Sequence, residues 1–217
     1  SITCGYGVDD PDKEHHFKTA TEDVTKAYAY KTALALNADY SMVSVSGYGI
    51  ISGFTNDGNK IPQQTIPQYY DKLGFSYNKF ADSITVSETE WDFERYKPDI
   101  IVINLGTNDM SYATTDERKA EFEDGYLDFL KKVRSLNPDS YIFQTYGVMG
   151  TSLEENIENV RRKYMSETGD ERITFIPLTM QDEDADGIVA DWHPSPRTHS
   201  LVSQKVSAAI KETLGYK

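Results

Sequence analysis

The sequence predicts an α/β fold, a three-layer α/β/α sandwich around a central, mostly parallel sheet. Three observations lead there. Ile100-Ile101-Val102-Ile103 is a continuous apolar run after Pro98 and Asp99, the pattern of a strand buried on both faces. Segments with helical apolar spacing alternate with short strand-like runs, as in a parallel sheet covered by helices. The 217 residues show no internal repeat or low-complexity stretch and suit one large domain, residues 1–217, with a sizeable core.

Taken in order, Glu22 to Asn37 has Val24, Ala27, Tyr28, Leu34 and Ala35 near helical spacing, with Thr19 and Glu22 as a capping box. Met42 to Val45 reads as a short strand that ends at Ser46-Gly47-Tyr48-Gly49. Asp57-Gly58-Asn59 marks a turn, and Ile66 to Leu73 holds a short helix after Pro67. Asp99 to Leu105 is the clearest strand. Asp116 to Ser135 is a helix with Phe122, Tyr126, Phe129, Leu130 and Val133 on one side. Tyr141 to Tyr146 is a strand, Leu153 to Glu167 a helix ended by Gly169, and Ile173 to Ile176 a strand. Ser195 as N-cap and Pro196 at the first helical position start the last helix, which runs to about Leu214.

Composition narrows the function. The formal charge is −13, and the basic residues occur only as short groups such as Lys131-Lys132 and Arg161-Arg162-Lys163, which read as solvated helix faces. Nucleic acid is therefore not a predicted partner. An acidic surface also disfavours anionic substrates and lipid headgroups, leaving neutral substrates such as sugars and their esters. No apolar run approaches the roughly 20 residues of a membrane span. Cys4 is the single cysteine, so no internal disulfide and no cysteine-based zinc site is expected; it reads as a small buried residue near the first turn.

Four segments carry chemistry: Ser1-Ile2-Thr3-Cys4-Gly5-Tyr6-Gly7, Ser46-Gly47-Tyr48-Gly49, Gly106-Thr107-Asn108-Asp109 and Asp191-Trp192-His193-Pro194. A serine hydroxyl needs a base to take its proton and donors for the developing oxyanion. Ser1, set at a tight strand-to-helix turn, is the candidate nucleophile, and His193 the general base. The Gly47 N–H, unobstructed by a side chain, and the Asn108 amide are candidate oxyanion donors, with the Ser1 N–H. Active sites of such sheets gather at the carboxyl ends of the strands, and the Gly47 and Asn108 segments each follow a strand. A strand should likewise end just before Ser1, and it is absent here.

In that order the four segments resemble the blocks of the SGNH (GDSL-type) hydrolases. Ser1-Ile2-Thr3 is similar to the tail of a Gly-Asp-Ser-Ile motif without its Gly-Asp, and Gly106-Thr107-Asn108-Asp109 matches Gly-x-Asn-Asp. Ser1 to Gly7, Thr21 to Ala38 and Asp191-Trp192-His193-Pro194-Ser195 resemble carbohydrate esterase family 2 more closely. The resemblance implies the flavodoxin-like SGNH fold and a secreted, cofactor-free serine esterase. Its substrate would be an acetylated carbohydrate such as xylan, glucomannan or their fragments. It also implies a first strand and a small β-sandwich domain upstream of Ser1. The family usually places an aspartate three residues before the histidine, where this chain has Ala190. Some family 2 esterases work with a Ser–His dyad, which implies that His193 Nδ1–H donates to the Asp191 carbonyl. A triad through the Asp191 carboxylate is the alternative. Trp192 beside the base is the candidate sugar-stacking residue; Tyr6 and Phe54 are further candidates to line the cleft.

Other readings are weaker. Asp182-Glu183-Asp184-Ala185-Asp186-Gly187 resembles the start of a calcium loop, but its twelfth position is His193, so a solvated acidic turn fits better. His15-His16 lacks a spaced partner for zinc and reads as a surface pair. An N-terminal nucleophile hydrolase would use the Ser1 amine and would not need His193. A non-catalytic or weakly catalytic carbohydrate-binding module that uses the same cleft remains the alternative from a different class.

Overall fold

The computed structural model describes residues 1–75, 79–80 and 83–216. Its α-helices are α1 (Tyr28–Ala35), α2 (Asp116–Leu136), α3 (Glu154–Thr168), α4 (Glu183–Asp186) and α5 (Pro196–Leu214). Its strands are β1 (Lys79–Phe80), β2 (Ile84–Thr85), β3 (Ile100–Asn104), β4 (Tyr141–Tyr146), β5 (Ile173–Pro177), β6 (Ile188–Val189) and β7 (His193–Pro194). Two compact units share these elements. One comprises Ser1–Ser46, Tyr146–Thr151 and Ile176–Lys217; the other comprises Gly47–Thr145 and Ser152–Phe175.

The main sheet is ordered β3-β4-β5, and all of it but Tyr146, Ile176 and Pro177 belongs to the second unit. β3 and β4 are parallel, in register from Ile100 opposite Tyr141 to Asn104 opposite Thr145. Ile142 through Tyr146 are buried without alternation, the signature of a strand covered on both faces. Helix α2 begins where Thr115 accepts the Arg118 N–H, and it carries Asp116 and Glu117 at the positive end of its dipole. Its buried face is Phe122, Tyr126, Leu127, Phe129, Leu130 and Val133, and it packs against α3, which buries Ile157, Val160 and Tyr164. Helix α3 stops at Gly169.

In the first unit α1 packs on α5. Ser195 caps α5 by accepting the Thr198 N–H, and Pro196 occupies the first turn, where no N–H is needed. The α5 face toward the core carries His199, Val202, Val206 and Ile210. His199 is 1% exposed, and its Nδ1 accepts the Tyr28 N–H at 3.1 Å.

Several expected elements differ. The helix over Glu22 to Asn37 is broken: a 3-10 turn at Val24–Lys26 is capped by Asp23, Ala27 is extended, and α1 starts only at Tyr28. The break lets His199 cap α1. Thr19 lies inside a separate 3-10 turn, so no capping box forms with Glu22. Met42 to Val45 is not a strand, because none of the described residues supplies a ladder partner. The segment from Ile66 to Leu73 keeps a single 3-10 turn, Ile66–Gln68.

Candidate active site

His193 is delivered by a miniature hairpin. β6 and β7 pair antiparallel with Val189 opposite His193, leaving Ala190, Asp191 and Trp192 to make the turn. Asp191 (φ 50°) and Trp192 (φ 58°) both adopt left-handed backbone, which is rare for side-chain-bearing residues and costs about 1–3 kcal/mol each. Surrounding bonds hold this turn. Ala190 N–H donates to the Asp10 carbonyl and Asp191 N–H to the His15 carbonyl, each at 3.0 Å; Gln181 Nε2 donates to the Trp192 carbonyl at 2.8 Å.

The turn directs two carbonyls at the imidazole. His193 Nδ1 lies 3.0 Å from the Asp191 carbonyl and 3.2 Å from that of Ala190. Acceptors on that side place the proton on Nδ1 and leave Nε2 as the basic nitrogen. Burial lowers the ring's pKa from its usual 6.5 to about 4. The Asp191 carboxylate points elsewhere. It accepts from Tyr6 Oη at 2.6 Å and the Phe17 N–H at 2.9 Å, and pairs with His16 Nδ1 at 2.8 Å. Burial opposes its ionisation, but these hydrogen bonds hold its carboxyl below the usual range.

Ser1 is half-buried, and its carbonyl accepts from Tyr6 N–H and Cys4 Sγ, both at 3.2 Å. Among the described residues no hydrogen bond joins its hydroxyl to His193. Residues 2–9 form successive turns rather than the start of a helix, as expected of a strand-to-helix turn. They are tied instead to the segment ahead of α1, through Asp23 N–H to the Gly5 carbonyl and Asp9 N–H to the Thr21 carbonyl. Cys4 is half-buried, and burial pushes its thiol up to about 11, so it is protonated at neutral pH.

Gly47 and Asn108 belong to the second unit, whereas Ser1, Asp191, Trp192 and His193 belong to the first. Gly47 has φ +81°, a conformation that favours glycine, and its carbonyl accepts the Phe54 N–H at 2.9 Å. Asn108 Nδ2 donates to the Tyr48 carbonyl at 2.7 Å. Asp109, fully buried, accepts N–H groups from Ile50, Ile51 and Ser52 at 2.8–3.2 Å. Burial raises its carboxyl to about 6, against the pull of those N–H groups. A Cβ at Gly49 would collide with that carboxylate. The pair Asn108-Asp109 therefore grips the loop that follows Gly47.

Trp192 is 47% exposed and Phe54 50% exposed, so neither is a core residue. The acidic run is locally occupied: Asp182 caps α4 through the Ala185 N–H, Glu183 pairs with Lys13, and Asp186 with Arg197. Among the described residues no group of three or more His, Cys, Asp or Glu could hold a metal ion. His15 and His16 are exposed but partnered, with Asp10 and Asp191. Sequence reasoning missed Asp109 as an anchor, although it stands within the Gly-x-Asn-Asp block. It also missed His16 and Phe17, whose contacts with Asp191 had no local signal.

The profile of the GDSL-like lipase/acylhydrolase family matches residues 1–201, and the chain belongs to that family. Its relatives are more specific. The chain is 33% identical over 225 residues to the cellulase/esterase CelE of Acetivibrio thermocellus, covering all of this chain and 25% of CelE. It is 25% identical to an acetylxylan esterase / glucomannan deacetylase of Cellvibrio japonicus, covering all of this chain and 56% of that protein. Among solved structures, a family two carbohydrate esterase from Clostridium thermocellum in complex with cellohexaose superposes with a TM-score of 0.83 at 32% identity. That match covers all of this chain and 63% of that one. The acetyl xylan esterase Est2A from Butyrivibrio proteoclasticus gives 0.90 at 25% identity, covering all of this chain and 62% of Est2A. The mixed α/β fold with a parallel sheet is thus the SGNH hydrolase fold of these neighbours.

Proposed function

We propose that the chain is a serine esterase that removes O-acetyl groups from plant cell-wall polysaccharides or their oligosaccharides. The carrying observation is the His193 ring: Nδ1 engaged by backbone carbonyls, Nε2 left basic, and a pKa low enough to keep it neutral at working pH. The names of CelE and of the acetylxylan esterases supply the substrate class.

In the reaction, Ser1 Oγ attacks the acetyl carbonyl as His193 Nε2 takes its proton. The Gly47 N–H, the Asn108 amide and the Ser1 N–H donate to the oxyanion. Collapse breaks the bond to the sugar oxygen, which leaves with the proton from His193. A water then gives a proton to His193 and attacks the acetyl-serine; acetate departs, and the proton returns to Ser1 Oγ. This Ser–His pairing needs no carboxylate on the ring. Trp192 offers an exposed indole for stacking on a pyranose. A cell-wall substrate implies a protein that works outside the cell.

The test compares the full-length protein with its Ser1→Ala variant on acetylated xylan and glucomannan. Acetate release that depends on Ser1 is the expected result; equal release by the variant would remove Ser1 as nucleophile. A second reading, sugar binding with little turnover, draws on the cellohexaose held by the Clostridium thermocellum neighbour. Calorimetric binding of cello-oligosaccharides without Ser1-dependent hydrolysis of p-nitrophenyl acetate would favour it.

A further inference from the structure

Tyr6 lies against the ring of His193. The two rings stack with centroids 3.9 Å apart and planes 25° from parallel. On its other contact Tyr6 stacks with Phe17 at 4.6 Å. Its hydroxyl donates to Asp191 Oδ2 at 2.6 Å, while the carbonyl of the same Asp191 lies 3.0 Å from His193 Nδ1. Asp191 therefore acts through two groups on one imidazole: its carbonyl on the edge of the ring, and its carboxylate on the phenol that covers the face. Phe17 N–H and His16 hold the same carboxylate, so the acceptor that pins the phenol is itself fixed by two further partners.

We infer that Tyr6 is a positioning residue for the base: pinned by the Asp191 carboxylate, its ring fixes the plane of the His193 imidazole and shields it from water. This rests on the esterase reading above. The histidine's edge is set by two carbonyls, but a hydrogen bond to one edge leaves the ring free to rock about that bond. A stacked neighbour removes that motion, and proton transfer from a serine is steeply sensitive to such misplacement. The arrangement also gives the Asp191 carboxylate a function without contact to the histidine, as expected where the ring is held by main chain.

The test uses Tyr6→Phe, Tyr6→Ala and Asp191→Ala in the full-length protein, with kcat and KM on p-nitrophenyl acetate and an NMR titration of the His193 ring. Tyr6→Phe keeps the stacked ring and loses the bond to Asp191. It should lower kcat about tenfold with KM nearly constant, and Asp191→Ala should match it. Tyr6→Ala also uncovers the imidazole. It should lower kcat about 100-fold and move the His193 midpoint upward by about one pH unit. The titratable groups acting on that ring are Asp191, His199 and the Tyr6 phenol that stacks on it; the Asp191→Ala titration controls for the loss of the carboxylate charge. Unchanged kcat and an unmoved His193 midpoint in Tyr6→Ala would overturn the inference. So would losses that merely follow the variants' thermal midpoints. If Ser1→Ala proves as active as the parent, the esterase mechanism fails instead, and the NMR titration still decides whether Tyr6 governs His193.

Discussion

The Asn108 side-chain amide donates to the carbonyl of Tyr48 at 2.7 Å. An amide nitrogen carries two N–H bonds, so this contact fixes the group and leaves one donor free. Asn108 thus pins the loop after Gly47, and its second N–H is the one that the proposed reaction would aim at the oxyanion. Replacing it with alanine should lower kcat about 10²–10³-fold with a small change in KM. Steady-state kinetics on p-nitrophenyl acetate check this; a loss confined to KM would assign Asn108 to binding instead.

Asp109 supports the same loop from beneath. Its carboxylate satisfies the N–H groups of Ile50, Ile51 and Ser52 at a fully buried position. Asp109→Ala leaves those donors without an acceptor, at about 1–3 kcal/mol for each buried group. A destabilisation of about 3 kcal/mol or more is expected in urea denaturation. A change within 0.5 kcal/mol, about the size of a neutral surface substitution, would mean that water or another group replaces the carboxylate.

How legible this was follows from the range of the forces involved. α2, α3, α5, β3, β4 and β5 could be read from sequence because local apolar spacing, Ser195-Pro196 and Gly169 specify them. Met42 to Val45 could not, since a strand exists only if another segment pairs with it. The break at Ala27 depends on His199, 171 residues from Tyr28. The candidate residues Ser1, Gly47, Asn108 and His193 stood out because each belongs to a short block. Their supports did not: Tyr6 and Asp191 are 185 residues apart, and Ile50 and Asp109 are 59 apart.

Asp191→Asn separates two ways of holding the base. With the Nδ1 contact made by main-chain carbonyls, the substitution should cost about tenfold or less in kcat, because the carbonyl remains and the new amide oxygen can still accept from Tyr6. A loss of about 10⁴, like that of a serine-protease triad aspartate, would show the carboxylate orienting the histidine directly.

The pH dependence of activity should be displaced toward acid. Burial puts the His193 pKa at about 4. Above that value Nε2 is unprotonated and can accept from Ser1; below it the ring is charged and cannot. The value of kcat/KM should therefore hold nearly level from neutral pH to about 5, and drop about tenfold per unit once below about 4. A pH–rate profile with its acid limb near 6.5 would mean that the imidazole of the free enzyme is solvated.

Trp192 predicts a difference between substrates. Its indole is 47% exposed beside His193, on a turn whose backbone is held from several sides. Trp192→Ala should raise KM for an acetylated oligosaccharide about tenfold, more than for p-nitrophenyl acetate, because only the sugar has a face to stack. Equal effects on both would mean that the indole acts on the acetyl end.

His199 predicts the acid stability of the first unit. Ala27 gives α1 no side-chain cap, and His199 Nδ1 accepts the Tyr28 N–H in its place. An imidazole can accept there only when Nδ1 is unprotonated, and burial lowers its pKa to about 3. In the unfolded chain the same group titrates near 6.5. Between these values the unfolded chain binds the extra proton, so stability is complete above about 6.5 and declines as pH falls toward 3. The slope from this one group is about 1.4 kcal/mol per pH unit. His193 acts in the same direction down to about 4. His199→Asn keeps an acceptor for Tyr28 N–H but does not titrate. Urea midpoints at pH 7.5, 6, 5 and 4 should fall less steeply for the variant than for the parent, since carboxylates contribute equally to both. Parallel curves would show that His199 is protonated in the folded protein and that another group caps α1.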